Sequence, residues 1–181
     1  MSATLGPGDA AALEIGWREL NRQVPKVHWL RTALEMLRNV DGGPMRVEAG
    51  EFIVTLFERT DLPGWLRGDA GDTLGFFGDH DRRTRRYRRC VEAAIRGLSE
   101  DSIEVQFWSM YVIASLCSER EPRDPAFARA IPRLREIADS DHRLSPGFWW
   151  PMSAEAEDAL GCIETGKWPQ PDASERTQCP R

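Results

Sequence analysis

No stretch of this chain approaches the roughly 18 consecutive apolar residues that a membrane span requires, so an integral membrane protein is not expected. The N-terminus, MSATLGPGDAAALEIGW, lacks the basic block and the apolar block of a secretory signal, and a cytoplasmic location is the expectation. Cysteines are few. Cys90, Cys117, Cys162 and Cys179 form no CxxC pair, and the first three fall on apolar helical stripes, so core thiols are expected rather than disulfides. His28, His80 and His142 each lack a second His or Cys at ligand spacing, so neither a metal site nor a cofactor is expected. Also missing are a Gly-rich phosphate loop, GxSxG, HExxH and a His set beside a nucleophilic Ser or Cys. These absences argue against an enzyme. Alternating apolar and polar runs of strand length are absent as well, which predicts an all-α protein.

What is present is helical periodicity, broken where helix ends belong. The 181 residues suit one domain, with 41% hydrophobic and 29% charged residues. Leu13, Trp17, Leu20 and Val24 form one apolar stripe, and Val27, Leu30, Leu34 and Leu37 form another after Pro25. A third helix over about Met45–Thr60 turns inward Ala49, Ile53, Leu56 and Phe57; a fourth carries Leu66, Ala70, Leu74 and Phe77. The fifth has Tyr87, Val91, Ile95 and Leu98, and Asp101–Glu104 reads as a capping box for the sixth. Asp124 and Pro125 open a seventh helix through Ala138, and Ser153 caps an eighth that ends near Gly166.

The ridges repeat. Leu66, Ala70, Leu74 and Phe77 superpose on Val105, Ser109, Ile113 and Leu116 with a shift of 39 residues (105 minus 66), and then on Met152, Ala156, Leu160 and Ile163 with a shift of 47 (152 minus 105). Val91, Ile95 and Leu98 land on Ala130, Leu134 and Ile137 by the same 39. Two helices per unit of about 40 residues is the signature of the HEAT and armadillo class. The segments WLRGDAGDTLGFFGD, VQFWSMYVIASLC and AFARAIPRLREIADSD resemble HEAT-repeat segments of small bacterial HEAT proteins, over about Met45–Gly166. The expected fold is a HEAT-like α-solenoid of about four helical hairpins, a single domain over residues 1–166 with 167–181 as a flexible tail. The sixth helix, apolar nearly all round, must be covered on several faces.

Two surface features call for a function. The run RRTRRYRRC, Arg82–Cys90, packs six arginines into eight residues of a chain with formal net charge −5. On a helical wheel Arg82, Arg85, Arg89 and Arg96 point outward, beside a neighbouring helix that turns out Glu48, Glu51 and Glu58. A solvated, partly compensated face is therefore the first reading of the run; Arg85 and Arg89 are its contacts if the partner is acidic. A pI near 5.3 disfavours nucleic acid. The second feature is aromatic: most of the seven tryptophans are expected in the core, but GlyPheTrpTrpPro, Gly147–Pro151, sits in a long loop. The loop reads equally as an exposed patch or as a lid over the end of the solenoid; as a patch, Phe148, Trp149 and Trp150 are the candidate apolar anchors, extended by Trp108 and Tyr111, for which a core position is the first reading. The sequence thus predicts a non-enzymatic protein-binding adaptor, regulator or inhibitor, an immunity-type inhibitor being one subtype. The resemblance implies one alternative, a HEAT-like DNA glycosylase acting on alkylated bases, with Trp65 and Asp69 one helical turn apart.

Overall fold

The structure, a computed structural model, describes residues 7–38, 40, 43–77, 82–118, 124–144, 147 and 150–168. Among these residues it is all-helical: α1 (Pro7–Leu20), α2 (Val27–Leu37), α3 (Gly43–Glu58), α4 (Gly64–Phe77), α5 (Arg85–Gly97), α6 (Ile103–Cys117), a 3-10 turn (Pro125–Arg129), α7 (Ile131–Ser140) and α8 (Met152–Thr165). The only β feature among them is an isolated bridge between Leu144 and Pro151. None of these helices is long and apolar enough to cross a membrane.

Helices pair in chain order, α1 on α2, α3 on α4, α5 on α6 and α7 on α8. Between pairs, α1 meets α3, α3 meets α5 and α5 meets the 3-10 turn, while α2 meets α4, α4 meets α6 and α6 meets α8. The superposable ridges are what these contacts bury. Leu66, Ala70 and Leu74, then Val105, Ser109, Ile113 and Leu116, then Met152, Ala156 and Ile163 are all buried, with Leu160 half-buried. Val91 and Leu98 are buried like their counterparts Ala130 and Ile137, while Ile95 is half-buried where its counterpart Leu134 is buried. Helix α6, enclosed by α4, α5 and α8, buries Val105, Phe107, Met110, Val112, Ile113, Ala114 and Leu116, as its all-round apolar sequence requires.

Polar links join successive pairs, and four of the arginine links share nearly the same separation. Arg59 Nη1 donates to Leu20 O at 3.0 Å, Arg86 Nη1 to Val47 O at 2.6 Å, Arg129 Nη1 to Glu92 at 3.2 Å and Arg143 Nη2 to Gln106 Oε1 at 3.0 Å. The donor and acceptor lie 39, 39, 37 and 37 residues apart, so each guanidinium reaches back one unit.

Several helix ends differ from the sequence reading. Ser102, not Asp101, caps α6: its hydroxyl accepts from Val105 N at 3.3 Å and donates to Glu104 Oε2 at 2.8 Å. The seventh helix is split, because Pro132 near the start of α7 has no N–H to give and its ring collides with the carbonyl four residues back; the preceding residues close as a 3-10 turn capped by Asp124. Pro151 occupies the N-cap of α8, and the Ser153 amide donates to Asp141 O at 3.0 Å. Val24 lies beyond α1 and is 77% exposed, so it does not continue that helix's stripe. At the far end Gly166 takes the left-handed conformation (φ 70°) and stops α8 where expected. Cys90, Cys117 and Cys162 are buried and in no disulfide among the described residues, and burial pushes the Cys162 thiol up to about 12.

Candidate functional site

The tightest seam of the molecule decides where two of the expected anchors go. Helix α4 carries glycine at 64, 68, 71 and 75, one per turn on a single side, and α6 lies against that groove. A Cβ on Gly71 would stand 2.8 Å from Trp108 Cβ and 3.0 Å from Phe57 Cε2; one on Gly75 would fall within the Tyr111 ring. The groove exists to seat these side chains. Trp108 and Tyr111 are accordingly half-buried, edge-on to each other at 5.4 Å between ring centroids, and Tyr111 meets Trp168 in the same fashion at 5.4 Å. Trp168, placed by the sequence reading in the tail, thus belongs to the packed body.

The aromatic loop is described only in part. Phe148 and Trp149 lie outside the described residues, while Trp150 is half-buried against the core. Near it, at the start of α8, Glu155 is buried and its carboxyl is pushed up to about 8, first by burial and then by Asp158, with the Trp150 indole N–H opposing the rise.

The exposed indoles are elsewhere. Trp29 on α2 is 42% exposed and Trp65 on α4 is 41% exposed, while Trp17, Trp108, Trp150 and Trp168 pack against the core, in line with the expectation for most tryptophans. Trp29 borders a shallow hollow of about 310 Å³ with Ile15, Arg18, Glu19 and Arg22. Trp65 is held by a rigid start to its helix: the amides of Leu66 and Arg67 both bond to Pro63 O, and Arg59 binds Asp61 through two 2.6 Å contacts while reaching Leu20. That pairing holds the Asp61 carboxyl below its usual range. Arg67, the next arginine, turns inward; it donates to Phe57 O at 3.0 Å and to both oxygens of Glu100, and is only 3% exposed.

Across from Trp65 stands α2. The Arg31 guanidinium lies over the indole at 5.7 Å from its centroid, bonded to Glu35 at 3.0 Å and facing Asp69 at 3.9 Å. Arg38 pairs with Asp72 on the following turn. Burial raises the Asp69 carboxyl from its usual value, while Arg31 and Arg38 counter that rise and Glu35 adds to it. The result is a flat indole, capped by a cation and flanked by carboxylates, on two packed helices. Such a surface offers an aromatic face for stacking and fixed charges for pairing.

On α5 the arginine run divides. Arg89 turns to α3, donating to Glu58 at 2.5 and 3.1 Å, to Glu51 at 2.7 Å and to Thr55 Oγ1 at 3.0 Å. The expected border of carboxylates beside guanidinium groups is therefore present at Glu51 and Glu58. Arg85 is exposed and makes no ion pair or hydrogen bond among the described residues. Of the expected contact residues, the fold brings Trp108 and Tyr111 together on α6, and sets Arg85 and Arg89 on α5, the other helix of the same pair. Sequence reasoning passed over the glycine groove, although its 64, 68, 71, 75 spacing is visible, and over the exposed Trp29 and the buried Arg67 and Glu155. Comparison with protein-family models, curated proteins and solved structures finds no match for this chain.

Proposed function

We propose that the chain is a HEAT-like solenoid of four helical hairpins acting in the cytoplasm as a non-enzymatic protein-binding module, an adaptor, regulator or inhibitor. The pairwise packing order and the arginine links reaching back 37 to 39 residues support the stacked arrangement. The observation that carries the binding reading is the exposed Trp65 indole under the Arg31 guanidinium. Tryptophan and arginine are the residue types that dominate interface energetics, and here both are fixed on packed helices, so little ordering cost is due on association. This moves the proposed contact from Trp108 and Tyr111, which serve the α4–α6 seam, to the α2–α4 face.

The test is affinity capture from the native host with cross-linking, comparing the wild-type chain with Trp65→Ala. Because the side chain is 41% exposed, the variant keeps its helical content, and the captured partner is lost. Undiminished capture removes Trp65 from the interface. The alternative, base excision from alkylated DNA, draws on Trp65 and Asp69 sharing the α2–α4 face. Release of base from an alkylated duplex that Asp69→Asn abolishes would replace the binding reading.

A further inference from the structure

The arginines of α5 sort by what they touch. Arg86 and Arg89 are spent on α3, the first on Val47 O and the second on Glu51, Glu58 and Thr55. Arg85, Arg88 and Arg96 are exposed, and their guanidinium groups hold no ion pair or hydrogen bond among the described residues. They could not be neutralised from their own helix, since Glu92 is its only carboxylate and Arg129 takes both of its oxygens. Two of the three, Arg85 and Arg88, stand at the N-terminal turn, where the helix dipole opposes positive charge and the turn itself carries no acidic residue. Among the described residues the flank is thus a cationic stripe without ion-pair partners, on a chain with 29 acidic and 24 basic residues.

We propose that this flank of α5 docks an acidic polypeptide segment of a partner protein. Arg85 and Arg96 are eleven residues apart, about 16 Å along the helix at 1.5 Å per residue. An extended segment of about five residues spans that length at roughly 3.3 Å each, so carboxylates on alternate residues reach all three guanidinium groups, each of which accepts a bidentate partner. A nucleic acid fits less well. Its phosphates run on past the stripe, and beyond a Debye length of about 8 Å they meet a chain whose net charge is −5. The proposal rests on the protein-binding reading but uses a face other than that of Trp65.

The test is fluorescence anisotropy with labelled hexaglutamate and a labelled short DNA duplex, at low and at physiological ionic strength. Hexaglutamate binds, more weakly at the higher salt, and Arg85→Glu with Arg88→Glu lowers its affinity by about tenfold or more. Trp65→Ala leaves that affinity unchanged, which separates this surface from the other; both variants alter exposed side chains, and circular dichroism confirms the fold. The proposal is overturned if hexaglutamate fails to bind at low salt, if charge reversal leaves its affinity intact, if Trp65→Ala abolishes binding, or if the duplex binds more tightly than the peptide.

Discussion

The glycine groove of α4 makes a prediction with an internal control. In most helices Gly→Ala stabilises, by about 1 kcal/mol of helix propensity. At Gly71 the new methyl would lie 2.8 Å from Trp108 Cβ, an atom attached directly to the backbone of α6, which α5 and α8 hold in place. Overpacking of this kind costs about 1–3 kcal/mol. With the propensity gain set against it, and with the struck atom unable to swing away, Gly71→Ala is expected to lose about 1–2 kcal/mol net. For a chain of this length that is a fall in melting temperature of about 2–8 °C. At Gly75 the obstacle is instead the ring of Tyr111. The two sites therefore respond differently to removal of the opposing side chain. Trp108→Ala retains the Cβ and does not rescue Gly71→Ala, whereas Tyr111→Ala takes away the obstacle and rescues Gly75→Ala. Thermal and urea unfolding of the two double-mutant cycles measure this: coupling within about 0.5 kcal/mol of zero for the first pair and about 1 kcal/mol or more for the second. A Gly71→Ala protein that melts at or above the wild type, or equal coupling in both cycles, would refute the close approach of α4 and α6.

Two further perturbations probe buried polar groups. Arg67→Met leaves Glu100 and the Phe57 carbonyl without their donor and should cost about 3–5 kcal/mol in urea unfolding, towards the lower end because Glu100 keeps some contact with water; adding Glu100→Leu should recover most of it. No recovery in the double variant would mean that the loss comes from packing rather than from the orphaned carboxylate. At Glu155 the folded-state value, about 8, stands above the ordinary 4.5, so the folded protein binds the extra proton between those values. The stabilisation it gives is full below about pH 4.5 and fades as pH rises through about 8. Glu155→Gln should therefore gain on the wild type in melting temperature between about pH 5 and pH 9. A difference that does not move with pH would show that the carboxyl is not protonated in the fold.

The helices and their buried ridges were legible because a 3.6-residue apolar period is a local property, and the 39-residue recurrence of Val105 and Ile113 on Leu66 and Leu74 needs only the chain itself. The Arg89 pairing with Glu51 and Glu58 was legible for the same reason: its 38- and 31-residue separations are about one unit. Capping detail was not, since Asp101 and Ser102 are both good caps and only the backbone geometry selects the second. Exposure of the tryptophans also escaped. Periodicity says which way Trp65 points relative to its own helix, but whether anything covers it depends on how far α2 stands from α4, and Arg31 fills that space without sealing it. Conversely Trp108 looked free to serve a partner because the groove that receives it consists of side chains that α4 does not have.

The enclosure of α6 has a consequence for how the chain is made. Ribosomes add about 5–20 residues per second, and 48 residues (165 minus 117) separate the end of α6 from the end of α8. For roughly 2–10 s, then, a greasy segment has emerged whose second wall is still being translated. Docking onto α4 and α5, both already made, leaves the side that α8 will cover as the one in need of shielding during that interval.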